Sequence, residues 1–82
     1  MTTVFVNGAC GRMGQAVLKA VQEDKDLTLV GACDIHGGAD TGTLVGLPAN
    51  GVLVETDLAA ALERLQPDVM IDFTRPDVVY DN

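Results

Sequence analysis

The 82-residue sequence predicts an α/β fold, a partial parallel sheet of about four strands flanked by two to three helices in three layers. Three observations predict it. The short apolar run Val4-Phe5-Val6 is followed by a glycine-bearing stretch, Gly8 to Gly14, and then by a run with helical spacing. The same alternation of short apolar runs and helix-period runs recurs down to Phe73. Asp34 stands at the end of the second apolar run, twenty residues past Gly14, where a dinucleotide-binding unit keeps an acid.

Each element follows from its residues. Val4 to Val6 is too uniformly apolar to alternate, which suits a central strand buried on both faces. A helix is predicted from about Arg12 to Glu23. Met13, Ala16, Val17, Ala20 and Val21 form its inner face, Gln15, Lys19, Gln22 and Glu23 its outer face, and Met13 fills the core under the glycine turn. Asp24-Lys25-Asp26 breaks the chain before a second strand, Leu27 to Cys33, which a right-handed crossover makes parallel to the first. From His36 to Gly51 the glycines crowd together with Pro48 and Asn50, predicting a long loop with a functional or mobile character. Val52-Leu53-Val54 reads as a short strand. Thr56-Asp57 opens a second helix with Leu58, Ala61, Leu62 and Leu65 at helical spacing, and Pro67-Asp68 ends it. Val69 to Phe73 is the last strand. Thr74-Arg75-Pro76-Asp77 then has the pattern of a capping box, so a third helix is expected to begin there and to have run less than two turns at Asn82.

The first strand, glycine turn and helix together form a nucleotide cradle of Rossmann-like type. Unpaired N–H groups at the helix start and the positive end of its dipole suit a phosphate. The spacing is G-x-x-G-x-x-G, one residue longer in its first interval than G-x-G-x-x-G. Gly11 and Gly14 keep the usual interval, so Gly11 lets backbone approach a pyrophosphate and Gly14 lets the helix close on the strand. Asp34 is expected to accept ribose hydroxyls. Cys10 lies in the turn and Cys33 at the end of the second strand. A thiol at a helix start can be acidified, but the spacing matches no C-x-x-C or zinc pattern, and two free thiols are the simplest reading.

Composition sets limits. Hydrophobic residues make up 48% of the chain, enough for a core. The formal charge of −7 argues against a nucleic-acid partner and leaves any phosphate site dependent on the helix start and Arg12. No apolar run approaches the ~20 residues of a membrane span and no signal-peptide pattern opens the chain, so the cytoplasm is expected. There is room for only about one of the two mononucleotide halves of a dinucleotide fold.

Four ordered segments carry a family resemblance. Val6-Asn7-Gly8-Ala9-Cys10-Gly11-Arg12-Met13-Gly14, Leu29-Val30-Gly31-Ala32-Cys33-Asp34, Asp40-Thr41-Gly42-Thr43-Leu44-Val45-Gly46 and Ile71-Asp72-Phe73-Thr74-Arg75-Pro76 resemble the N-terminal part of the dihydrodipicolinate (4-hydroxy-tetrahydrodipicolinate) reductase family. The resemblance implies an enzyme of lysine and diaminopimelate biosynthesis that passes hydride from NADH or NADPH to a cyclic dicarboxylate and is usually a homotetramer. It implies that Gly8, Ala9, Cys10, Gly11, Arg12 and Met13 wrap the cofactor pyrophosphate, that Asp34 binds the adenosine ribose, and that Phe73 and Thr74 lie near the nicotinamide. Residues 1–82 are then an incomplete N-terminal dinucleotide-binding domain. The substrate and tetramerisation domain, with the histidine-rich catalytic segment, is expected beyond it, so no catalytic residue is assigned in this chain.

Many members place an arginine just after the ribose acid, to hold the 2′-phosphate of NADPH. Here that position is Ile35, followed by His36. Asp34 without an adjacent cation favours NADH, while Arg12 or His36 keeps NADPH open as the alternative. Asp72, a lone carboxylate in an apolar strand, is expected to be held structurally by backbone N–H groups at the strand end. Arg75, Lys19, Lys25, Arg64 and His36 read as solvated side chains. A nucleotide- or redox-sensing module without chemistry is the alternative function, and a self-standing half-fold a third. The last strand has an apolar edge nearly free of charge, so the isolated chain is expected to dimerise or aggregate through it.

Overall fold

The structure, a computed structural model, describes residues 2–73. Strands β1 (Thr2–Asn7), β2 (Leu27–Cys33), β3 (Val54–Glu55) and β4 (Val69–Asp72) form one parallel sheet in the order β3-β2-β1-β4. Helices α1 (Arg12–Glu23) and α2 (Leu58–Leu65) follow β1 and β3. The chain steps outward from β1 to β3 and then returns to lay β4 on the other side of β1.

β1 is interior, and its apolar run is buried on both faces as its sequence predicts. Val4, Phe5 and Val6 all lie in the core. Because side chains alternate along a strand, Val4 and Val6 join Leu18, Val21, Ala32 and Val54 in one cluster, with α1. Phe5 points the other way, to Cys33 and Ala61, with Leu58, Leu62 and Leu65 of α2 packed against them. Two clusters, one per helix, give the three predicted layers. Burying a side chain the size of Phe5 contributes roughly 1.5–3 kcal/mol.

The buried face of α1 differs from the predicted one. Gly14, Leu18 and Val21 are buried and Val17 is half-buried, whereas Ala16 and Ala20 are exposed and Met13 is 62% exposed. Gly14 sets this phase. A Cβ there would stand 2.1 Å from Gly8 O and 2.8 Å from Ala9 Cα, so the helix meets the turn backbone at this position. The 100° step per residue then carries Met13 outward.

The strand expected at 52–54 lies at Val54–Glu55 instead, paired with Ala32 and Cys33. Leu53 forms an isolated antiparallel bridge with Asp40 and is exposed. The last strand ends at Asp72, one residue early. α2 begins as expected: the Asp57 side chain accepts from the Ala60 N–H at 3.1 Å. Its end is closed by Gln66 at φ 46°, whose N–H donates to Leu62 O, just before Pro67. Arg64 is exposed but paired with Glu55 rather than simply solvated. The helix expected from Thr74 lies outside the described residues.

The long loop is built rather than loose. It contains a 3₁₀ turn at Thr43–Val45, and one Asp40 carboxylate accepts four backbone N–H groups: those of Gly42, Thr43 and Asn50 on Oδ1 and that of Gly51 on Oδ2. Desolvation works against the charged form of Asp40, but the four donors together hold its carboxyl below the usual range. Thr41, fully buried, donates to Asn50 Oδ1 at 3.1 Å. Gln22, expected to face solvent, instead donates to Thr41 O at 2.9 Å and accepts from Asn50 Nδ2, tying α1 to the loop. Just before β4, Asp68 Oδ2 accepts both the N–H and the hydroxyl of Thr3, and the Asp68 N–H donates back to Thr3 Oγ1.

Candidate functional site

A cleft of about 570 Å³ opens at the C-terminal ends of β1, β2 and β4. This is the point where strand order reverses, the usual ligand position in an open parallel sheet. Five of the predicted site residues line it: Gly8, Cys10, Gly11, Asp34 and Phe73. Ala9 is fully buried beneath the turn. Arg12 and Met13 are exposed at the first two positions of α1 rather than in the cleft wall, and Thr74 lies outside the described residues. Met13 as core filler is thus corrected, because the contact of Gly14 with the turn rotates it into solvent.

The turn is drawn onto the end of β2. Gly8, at φ 81° in the left-handed region, donates its N–H to Cys33 O at 2.8 Å, and the Ala9 N–H shares that acceptor at 3.2 Å. Glycine tolerates this φ without the clash that a Cβ brings. The chain then turns into α1 through Gly11, an N-cap with no side-chain hydrogen bond. The first-turn N–H groups of a helix have no intrahelical acceptor. With no side chain covering them, they remain available to an anion together with the positive end of the dipole. A Cβ on Gly11 would meet only Gly8 O, at 3.6 Å, so there is open space beside the turn.

Asp34 continues the same arrangement. Its Oδ2 accepts the Cys10 N–H at 2.9 Å and its Oδ1 accepts the His36 N–H at 3.2 Å, while its own N–H donates to Glu55 O. Each carboxylate oxygen has two lone-pair sites, so Asp34 keeps acceptor capacity for hydroxyl groups in the cleft. The donor set fits a dinucleotide: free N–H groups for a pyrophosphate and a half-buried carboxylate for a ribose. Phe73, half-buried, closes the β4 side, and its N–H donates to Asn7 O at 2.8 Å.

The acidification that a helix start can give a thiol is not found, and the two cysteines are free thiols as the sequence predicts. Burial pushes the Cys10 thiol up from its ordinary value, and the neighbouring Asp34 charge pushes it further. Burial likewise raises Cys33, with Asp34 and Glu55 adding to it. Both cysteines are free, and Cys10 Sγ donates to His36 O at 3.4 Å. Burial first, and then the carboxylate beside the turn, set the thiol's acidity below that of a free cysteine. Asp72 is exposed, and its Oδ1 accepts from the Asn7 side chain, Nδ2, at 3.3 Å. Gln15 was not legible as a site residue: its Nε2 donates to Cys10 O at 2.7 Å, a tertiary reach that hydropathy spacing does not encode.

The model of the dihydrodipicolinate reductase N-terminus matches residues 2–82. The chain belongs to the dihydrodipicolinate reductase family. It is 42% identical over 80 residues to the 4-hydroxy-tetrahydrodipicolinate reductase of Syntrophomonas wolfei, covering 96% of this chain and 30% of that protein. With the Synechocystis reductase of the same name it shares 47% identity over 87 residues, covering 96% and 31%. Among solved structures, it is similar to a dipicolinate-bound dihydrodipicolinate reductase from Paenisporosarcina sp. TG-14. The TM-score is 0.72 at 29% identity, over 99% of this chain and 31% of that one. The chain therefore spans about 30% of the length of the curated reductases it matches. Among the described residues, no helix is long and apolar enough to cross a membrane.

Proposed function

We propose that this chain forms the cofactor-binding part of a reductase that converts 4-hydroxy-tetrahydrodipicolinate to tetrahydrodipicolinate, in lysine and diaminopimelate biosynthesis, with NADH as the favoured cofactor. The observation that carries the reading is the juxtaposition of an uncapped helix start with the Asp34 carboxylate across one glycine turn, in a chain of this family. In this reading the turn from Gly8 to Gly11 and the start of α1 hold the pyrophosphate. Asp34 accepts the adenosine ribose hydroxyls, and Phe73 and Thr74 border the nicotinamide. When bound, the nicotinamide supplies the hydride. This chain's own residues bind and orient the cofactor, and none is assigned a proton-transfer role. The substrate is a small dicarboxylate, in keeping with the dipicolinate named for the Paenisporosarcina relative.

The preference for NADH rests on charge. Asp34 is the carboxylate on the ribose side of the cleft, the next residue, Ile35, is 86% exposed and apolar, and His36 is the cleft-lining side chain that would have to offset the Asp34 charge. A 2′-phosphate beside Asp34 meets like charge without an adjacent arginine. A redox-sensing role draws no support from two thiols whose acidity is lowered by burial. The complete protein is proposed to be a cytoplasmic homotetramer. Calorimetric titration of the chain with NADH and with NADPH, alongside Asp34→Ala, tests the cofactor reading. NADH binding that is lost in the variant supports it, and no binding of either cofactor by the parent chain refutes it.

A further inference from the structure

We infer that Gln15 is a positioning residue that fixes the extra peptide of the lengthened glycine turn so that the turn receives a phosphate. The inference rests on the nicotinamide-cofactor reading above. Cys10 belongs to the interval that is one residue longer than in G-x-G-x-x-G, and it is held from both sides. Its N–H donates to Asp34 Oδ2 at 2.9 Å, and its carbonyl accepts from Gln15 Nε2 at 2.7 Å. Gln15 sits in the first turn of α1, where its own N–H donates to Gly11 O at 2.9 Å. The side chain therefore reaches back from the helix to the turn that precedes it.

The geometry has an electrostatic consequence. A trans peptide points its carbonyl and the next N–H to opposite sides. With the Cys10 carbonyl drawn to Gln15, the Gly11 N–H is turned away from that side chain, where it meets Gly8 O at a long 3.3 Å. A weakly engaged N–H thus lies next to the uncapped start of α1. A carbonyl released from Gln15 is free to turn its partial negative charge toward the helix start, where it opposes an anion. Gln15 keeps the acceptor occupied and the donor available, without touching the ligand itself.

The test uses the chain with Gln15→Met, which keeps length and neutrality but loses the donor. NADH and adenosine, which has no phosphate, are each titrated by calorimetry and by NMR of the isotope-labelled chain. The expected result is NADH binding weakened about tenfold, the loss of one hydrogen bond's effect, with adenosine binding unchanged and the Cys10 carbonyl and Gly11 amide resonances shifted. Unchanged NADH affinity overturns the inference. So does an equal loss for adenosine, which marks general loosening of the fold. If Gln15→Met does not fold, Gln15→Lys, which retains a donor of similar reach, decides: retained NADH binding supports the role and lost binding overturns it. A parent chain that binds neither NADH nor NADPH removes the cofactor reading and this inference together, whereas a parent that binds while Gln15→Met binds equally removes this inference alone.

Discussion

Asp34 Oδ2 accepts the backbone N–H of Cys10 at 2.9 Å, so the acid at the end of β2 also organises the glycine turn at the end of β1. The same carboxylate takes the His36 N–H on its other oxygen, and its charge helps to keep the Cys10 thiol protonated. Asp34→Ala is therefore expected to change the ligand-free chain as well as its affinity. Hydrogen exchange at the Cys10 amide should accelerate by about tenfold, in line with one lost charge-assisted bond. Alkylation of Cys10 near neutral pH should also become faster, because removing the carboxylate lowers the thiol's pKa and raises its thiolate share. Iodoacetamide labelling of Cys10 in parent and variant, read by mass spectrometry, measures this directly. Unchanged Cys10 labelling would mean that burial alone sets the thiol's acidity.

Two glycines of the turn should separate folding from binding. A Cβ on Gly14 would sit 2.1 Å from Gly8 O and under 3 Å from the backbone of Ala9, and backbone cannot yield as a side chain does. Gly14→Ala must push α1 off the turn, with an expected cost of about 1–3 kcal/mol or more from overpacking. At Gly11 the nearest such atom is Gly8 O at 3.6 Å, an ordinary contact. Gly11→Ala should therefore fold with nearly parental stability while its methyl occupies the space beside the turn and weakens NADH. Urea unfolding and NADH titration of both variants measure the contrast. Equal stability losses would contradict it.

Most of this site was legible in the residues, because its parts are fixed by local backbone chemistry. Gly8, Gly11 and Asp34 take their places from strand, turn and crossover, and Phe73 from the end of an apolar run. The helix phase was not legible. Met13, Ala16, Val17, Ala20 and Val21 fit one helical stripe and Gly14, Val17, Leu18 and Val21 fit another, and hydropathy favours the first because a glycine scores little. Close contact between Gly14 and Gly8 decides for the second, and that contact exists only once the helix has docked. Gln15 and Gln22 escaped for a related reason: each is polar and was placed outside, yet each spends its amide on a carbonyl brought near by the fold. β3 moved by two residues because its register is set by Ala32 and Cys33, while Leu53 is taken by Asp40.

Acid should weaken the fold through Asp68. The Thr3 N–H and then the Thr3 hydroxyl hold its carboxyl below the ordinary range, against a smaller opposing effect of desolvation. A folded-state pKa lower than the unfolded one gives stability that is present above the unfolded value of ~3.9 and disappears as pH falls through the folded value. Asp68→Asn should therefore be less stable than the parent near neutral pH and should converge with it once the pH has fallen through the folded-state value, where the parent carboxyl is protonated too. Because Asp68 is exposed, the effect should be modest and should shrink with added salt. Chemical denaturation at several pH values reads the convergence. A gap between parent and variant that stays constant with pH would assign the contribution to hydrogen bonding rather than charge.

The outer edge of β4 gives the remaining prediction. β4 pairs with β1 on one side, and among the described residues no strand pairs with its other side. Val69 and Met70 are 43% and 41% exposed there, and the strand carries no charge before Asp72. Unpaired N–H and C=O groups flanked by apolar side chains form a template for another strand, which lysine at an edge normally blocks. The 82-residue chain is therefore expected to self-associate with rising concentration in sedimentation velocity. Met70→Lys should weaken that association by about tenfold or more by placing like charges across the paired strands. Parent chain that stays monomeric at high concentration would show that this edge is already protected. Association that Met70→Lys leaves intact would instead move the contact to another surface, with the exposed Leu53 and Met13 as the next positions to substitute.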